Sequence, residues 1–186
     1  MAKNIVLKDQ EQIRSERKVN VVTPDLLTRI KSQYCLNWNG PHGIAHWHRV
    51  FLNGLKLATQ AGVNIKVIQL FSVFHDACRQ NENWDHDHGR RGAELVMELK
   101  EFCPLDDSEL ALLVTACELH TDAVDHEDIT IQACFDSDRL DLGRVGIYPD
   151  ANRLCTPLAK DMDFIAQAYF RSQEGFARGH PFDLPD

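Results

Sequence analysis

Between Val67 and Phe74 the chain reads VIQLFSVF, an apolar run interrupted only by Gln69 and Ser72. A helix that is apolar on nearly every side belongs at the centre of a domain. On either side of it the hydrophobic positions recur at three and four residues, the spacing of one helix face. Thr23-Pro24-Asp25 reads as a helix start, with a capping hydroxyl ahead of proline at the first helical position. It leads into LLTRIKSQYCLNW and closes at Asn39-Gly40-Pro41. Over 43–60, Ile44, Trp47, Phe51, Leu55 and Ala58 form one stripe and His46, Val50 and Asn53 its neighbour, with Gly62 as the stop.

The central helix is expected over 64–79, followed by the polar loop QNENWDHDHG. Further helices are expected over 90–102, closed by Pro104, and from the cap Asp106-Asp107-Ser108 to Leu119, with His120 at the far end. The last two are expected over 129–142 and 156–172. No segment alternates with the strand period and none repeats, so the expected class is all-α, a single-domain helical bundle over 21–175. Residues 1–20 are polar and read as an arm, and 176–186 as a tail.

Composition narrows the partners. At 186 residues, 44% of them hydrophobic, the chain can bury a sizeable core. A formal charge of −8 argues against broad nucleic-acid binding, which needs a basic face to displace counterions. An anionic small substrate would need a local cation to hold it. The six cysteines are dispersed, with no CxxC, and read mainly as small buried hydrophobes in a reduced cytoplasm. No apolar stretch approaches the roughly 18 residues of a membrane span, and the N-terminus has no apolar leader segment. A homodimer is compatible with all of this.

The apolar run ends on His75-Asp76, two groups that are expensive to desolvate without a strong partner. His46 and Asp138 lie on two other predicted helices with buried faces. Two imidazoles and two carboxylates form a mixed nitrogen and oxygen donor set suited to a divalent ion such as Mn, Fe, Co, Ni or Zn. A single buried histidine is ordinarily a core residue that gives its ring proton to a carbonyl. Here the four residues are taken together.

The pattern His46, His75-Asp76, Asp138 resembles the HD superfamily of metal-dependent phosphohydrolases, all-helical proteins with a central His-Asp dyad. Four segments carry the resemblance over about residues 40–146: PHGIAHWHRV, LFSVFHDACR, HDHGRRGAEL and FDSDRLDLGRVG. It implies that His46, His75, Asp76 and Asp138 bind one ion, Mg being a further option. It assigns the ligand in DSDRLD to Asp138, leaving Asp136 and Asp141 to cap or to pair with arginine. It places His88 and His120 where two-metal members recruit more histidines, with Asp76 as the bridge. The implied activity is hydrolysis of a small phosphoester, a nucleotide for example, by water that the ion acidifies from a pKa near 15.7 towards about 7.

Where many relatives of that superfamily read HDIGK, this chain reads HDACR. Arg79 keeps the charge but exchanges a compact ammonium for a planar fork suited to phosphate oxygens. Arg79, with Arg90 or Arg91, is expected to hold the phosphoryl group, and an unligated His88 or His120 to act as acid or base. Arg49 and Arg139 are expected to brace helices through carboxylates. His42, His48, His86 and His126 read as surface or capping groups, and His180 belongs to the tail. The acidic stretch 122–128 reads as a solvated loop, because it lacks the glycine and closing glutamate of a calcium loop. Trp38 and Trp47 read as core or cleft wall, and Trp84 as a surface on which a base could stack. Two other classes use the same residues: a metal- or nucleotide-binding module without turnover, and a diiron oxygenase with His88 and His120 as ligands.

Overall fold

The structure, a computed structural model, describes residues 20–173, so the expected arm and tail lie almost wholly outside it. Seven α-helices make up the fold: α1 (Pro24–Gln33), α2 (Ile44–Leu57), α3 (Ile65–Phe74), α4 (His88–Glu98), α5 (Asp107–Leu119), α6 (Ile129–Arg139) and α7 (Met162–Gln173). Three single 3-10 turns join them, and there is no strand among the described residues. The all-α, single-domain expectation holds. No described helix is long and apolar enough to cross a membrane.

The helix starts follow the local chemistry. The Thr23 hydroxyl accepts from the Leu26 amide at 3.2 Å, with Pro24 at the first position. Asn64 caps α3, Asp128 caps α6, and Asp106 with Glu109 forms a reciprocal capping box on α5. The acidic 122–128 stretch is otherwise largely exposed, and its last residue serves as that α6 cap.

Helix α3 is the hub, packed against α1, α2, α4, α5 and α6, and every residue from Val67 to Phe74 is buried. The two polar residues of that buried stretch are satisfied in place: Gln69 Oε1 accepts from the Val21 amide and Ser72 Oγ donates to the Gln69 carbonyl. Trp47 is fully buried and packs edge-on to Trp38 and Tyr34, as a core reading of the two tryptophans requires.

Several boundaries differ from expectation. The central helix stops at Phe74 rather than continuing to Arg79, and residues 75–78 form a tight turn. The Ala77 amide donates to the Phe74 carbonyl and the Arg79 amide to the Asp76 carbonyl, three-residue bonds that leave the helical path. The last helix begins at Met162 instead of Thr156. Here the Asp136 carboxylate accepts from the amides of Cys155 and Thr156 and from the Thr156 hydroxyl, holding that segment in a turn. Helix α4 starts at His88, two residues early.

Candidate metal centre

The ends of five helices deliver the polar side chains to one buried place. His46 projects from the first turn of α2, His75 and Asp76 from the turn after α3, and Asp138 from the end of α6. His88 opens α4 and His120 follows α5. All except Asp138 are almost fully buried, and Asp138 is largely so.

Asp76 stands in the middle. Its Oδ2 lies 3.5 Å from His46 Nε2 and 3.8 Å from His75 Nε2. Its Oδ1 lies 3.2 Å from His88 Nε2 and 3.9 Å from His120 Nε2. Asp138 Oδ1 joins the first group, 3.4 Å from His46 Nε2 and 3.8 Å from His75 Nε2. Both the set His46, His75, Asp76 and the set Asp76, His88, His120 bring their ligand atoms close enough to hold a metal ion.

The hydrogen bonds behind these rings decide what they offer. His46 Nδ1 is 2.8 Å from Asp141 Oδ2, His75 Nδ1 is 3.1 Å from the Phe71 carbonyl, His88 Nδ1 is 2.5 Å from the Asp85 carbonyl, and His120 Nδ1 is 2.7 Å from the Cys117 carbonyl. Carbonyl and carboxylate oxygens only accept, so the network assigns the ring proton to Nδ1 in all four. In that tautomer each ring turns its Nε2 inward, the arrangement that protein partners impose on metal-binding histidines. His46 Nε2 and His75 Nε2 are 3.0 Å apart, and so are His88 Nε2 and His120 Nε2. Two lone pairs at that distance repel unless something positive lies by them.

The charges agree. Burial drives His75 down to about 3, against the pull of Asp76 and Asp138, so at neutral pH the ring is an uncharged donor. Burial alone would raise Asp76, but the histidines packed around it outweigh that, His42 Nδ1 at 2.9 Å among them, and hold it well below the usual carboxylate range. For Asp138 burial is likewise outweighed, first by Arg144, and its carboxyl is also lowered. Asp138 Oδ1 is buried with no hydrogen-bond partner among the described residues. A divalent cation fits this donor set: inward-facing imidazole nitrogens, ionised carboxylates and one carboxylate oxygen without a hydrogen bond among the described residues.

The structure also corrects individual expectations. His42, expected at the surface, is buried and directs Nδ1 at Asp76 Oδ2 from 2.9 Å. It stands ahead of the α2 N-cap Gly43, where helix spacing gives no direction for its side chain. Asp141 pairs with Arg49 as expected, through Nε at 2.7 Å and Nη2 at 3.1 Å, and it also orients His46. Arg139 braces the backbone carbonyls of Ala123, Val124 and Arg153 rather than a carboxylate. Arg90 pairs with Glu94 on the exposed face and Arg91 with Asp85, and neither lines the cleft beside the centre. Arg144, which the sequence reading passed over, does line it, with Nη2 3.7 Å from Asp138 Oδ1.

That cleft has a volume of about 540 Å³. Asp76, Arg79, His88, His120, Asp138 and Arg144 form its polar side, and Trp84, Val124, Ile147 and Tyr148 its apolar rim. Trp84 is 71% exposed, so its ring face is open to a ligand. Of the other histidines, His86 is exposed beside Trp84, and His126 caps the Asp128 amide. No family model matches the chain, and neither the curated proteins nor the solved structures contain a significant match to it.

Proposed function

We propose that the chain is an HD-type metal-dependent phosphohydrolase acting on a small phosphoester, with nucleotides as the first substrates to test. The observation that carries this reading is the pair of inward-facing Nε2 atoms on His46 and His75 beside Asp76 and Asp138, two carboxylates that line a cleft also holding guanidinium groups. The order of the four sequence segments and the all-helical fold support the same reading.

His46, His75, Asp76 and Asp138 would hold the ion. When bound, a divalent ion acidifies a water molecule and screens charge on phosphoryl oxygens. The chain's own groups supply the rest. Arg79 and Arg144 place positive charge on the cleft wall for the non-bridging oxygens, and Arg144 Nε has no hydrogen-bond partner among the described residues. His88 Nε2 sits 3.2 Å from Asp76 Oδ1 and 3.3 Å from Arg79 Nη1, which fix its ring beside the cleft, and His88 or His120 would serve there as the acid or base. The apolar rim, with Trp84, offers a surface to the part of the substrate that carries no charge.

The test is turnover by metal-stripped protein resupplied with Mn, Co, Ni or Mg, against a panel of nucleotides and generic phosphoesters. Release of phosphate or alcohol that is lost in Asp76→Ala is the expected result. A panel with no turnover above that control removes the hydrolase reading and leaves a binding module. Oxygen uptake after anaerobic iron loading would instead favour an oxygenase.

A further inference from the structure

The two halves of the centre are not equivalent. Around His46 Nε2 and His75 Nε2 the near neighbours are each other and the carboxylate oxygens Asp76 Oδ2 and Asp138 Oδ1, and among the described residues no guanidinium or hydroxyl is hydrogen-bonded to either nitrogen. Around His88 Nε2 and His120 Nε2 the donors are present. Arg79 Nη1 lies 3.3 Å from His88 Nε2 and 3.4 Å from Asp76 Oδ1. Thr121 Oγ1 lies 3.1 Å from His88 Nε2 and 3.3 Å from His120 Nε2, so its hydroxyl proton can serve the ring that Arg79 does not. The repulsion between lone pairs is thus relieved by protein groups in one half and left unrelieved in the other.

We propose that the Arg79 guanidinium takes the place of a second metal ion, so that the chain holds a single ion on His46, His75, Asp76 and Asp138 while Arg79 supplies the other positive charge. The guanidinium touches Asp76 Oδ1 and His88 Nε2, two of the three atoms that a second ion would need. It is also held there. Arg79 is buried, Nη2 donates to the Asn83 carbonyl at 2.7 Å and Nε to the Asn81 carbonyl at 3.4 Å, so the 80–88 loop fixes both sides of the fork. A planar guanidinium that stays charged at any working pH suits a permanent cation better than a lysine would. Like charges in so small a buried space repel strongly, so Arg79 and a second divalent ion exclude one another.

This inference rests on the first half binding metal, and the experiment separates the two. Metal-stripped wild-type chain, Arg79→Ala and Arg79→Gln are titrated with Mn²⁺ by calorimetry, bound metal is measured after equilibrium dialysis, and frozen samples are examined by electron paramagnetic resonance. Wild type is expected to take up one ion with the spectrum of an isolated Mn²⁺. The Arg79 variants are expected to take up two, with the spectrum of a coupled pair, and His88→Ala on the Arg79→Ala background is expected to return the count to one. Wild type binding two ions of similar affinity overturns the proposal whatever the variants do. So do two Arg79 variants that keep native near-ultraviolet circular dichroism and remain at one ion. No Mn²⁺ on any protein overturns the metal centre itself and this inference with it.

Discussion

Asp141 holds His46 in its inward orientation from a buried position, and Arg49 in turn holds Asp141. An asparagine there could still present an oxygen to His46 Nδ1, but its amide would then face the Arg49 donors. Asp141→Asn is therefore expected to weaken Mn²⁺ binding roughly 10- to 100-fold, the usual cost of losing a group that orients a metal-binding histidine. Calorimetric titration beside wild type checks this, and an unchanged affinity would mean that the His46 tautomer does not depend on Asp141. That His46, His75, Asp76 and Asp138 would come together was legible because residue type and segment order name them. His42 and Arg144 were not, since their membership depends on which way a turn and a 3-10 segment direct side chains far apart in sequence.

Helix starts were readable from the chain because a cap is chemistry between neighbours: a hydroxyl or carboxylate meets an amide two or three residues on. The ends were less so. Helix α3 finishes where the α4 backbone comes against it, and a Cβ added at Gly92 would stand 2.7 Å from the Phe74 carbonyl and 3.2 Å from that of His75. Those carbonyls belong to the turn that carries the dyad. Gly92→Ala should cost about 1–3 kcal/mol through this collision, read by urea denaturation, and should also weaken metal binding because the turn must move. Stability and affinity both at wild-type values would show that the two elements can part without consequence. The start of α7 follows the same rule, since it is a distant carboxylate, Asp136, that keeps Thr156 out of the helix.

With the candidate ligands His46, His75, Asp76 and Asp138 drawn from the ends of three helices, a bound ion would tie α2, α3 and α6 together, and its binding would be linked to folding. Free metal at one hundred times its Kd should stabilise the folded chain by about 2.7 kcal/mol. For a protein of this size that raises Tm by roughly 5–10 °C. Differential scanning calorimetry with Mn²⁺ and then with a chelator tests it: the rise should reverse on chelation and be absent in Asp76→Ala. An identical rise in that variant would place the stabilising ion elsewhere.

The helical class, the buried central run and the costly pair at its end were present in the chain, because periodicity and desolvation are properties of short segments read one at a time. The sharing of Asp76 between two pairs of histidines, the support of His46 by a carboxylate 95 residues away, and the placing of Arg79 beside His88 came only with the fold. Each requires two or more helix ends to meet within hydrogen-bond distance. That meeting is set by how close the helices approach and where the turns between them break, which no local pattern encodes.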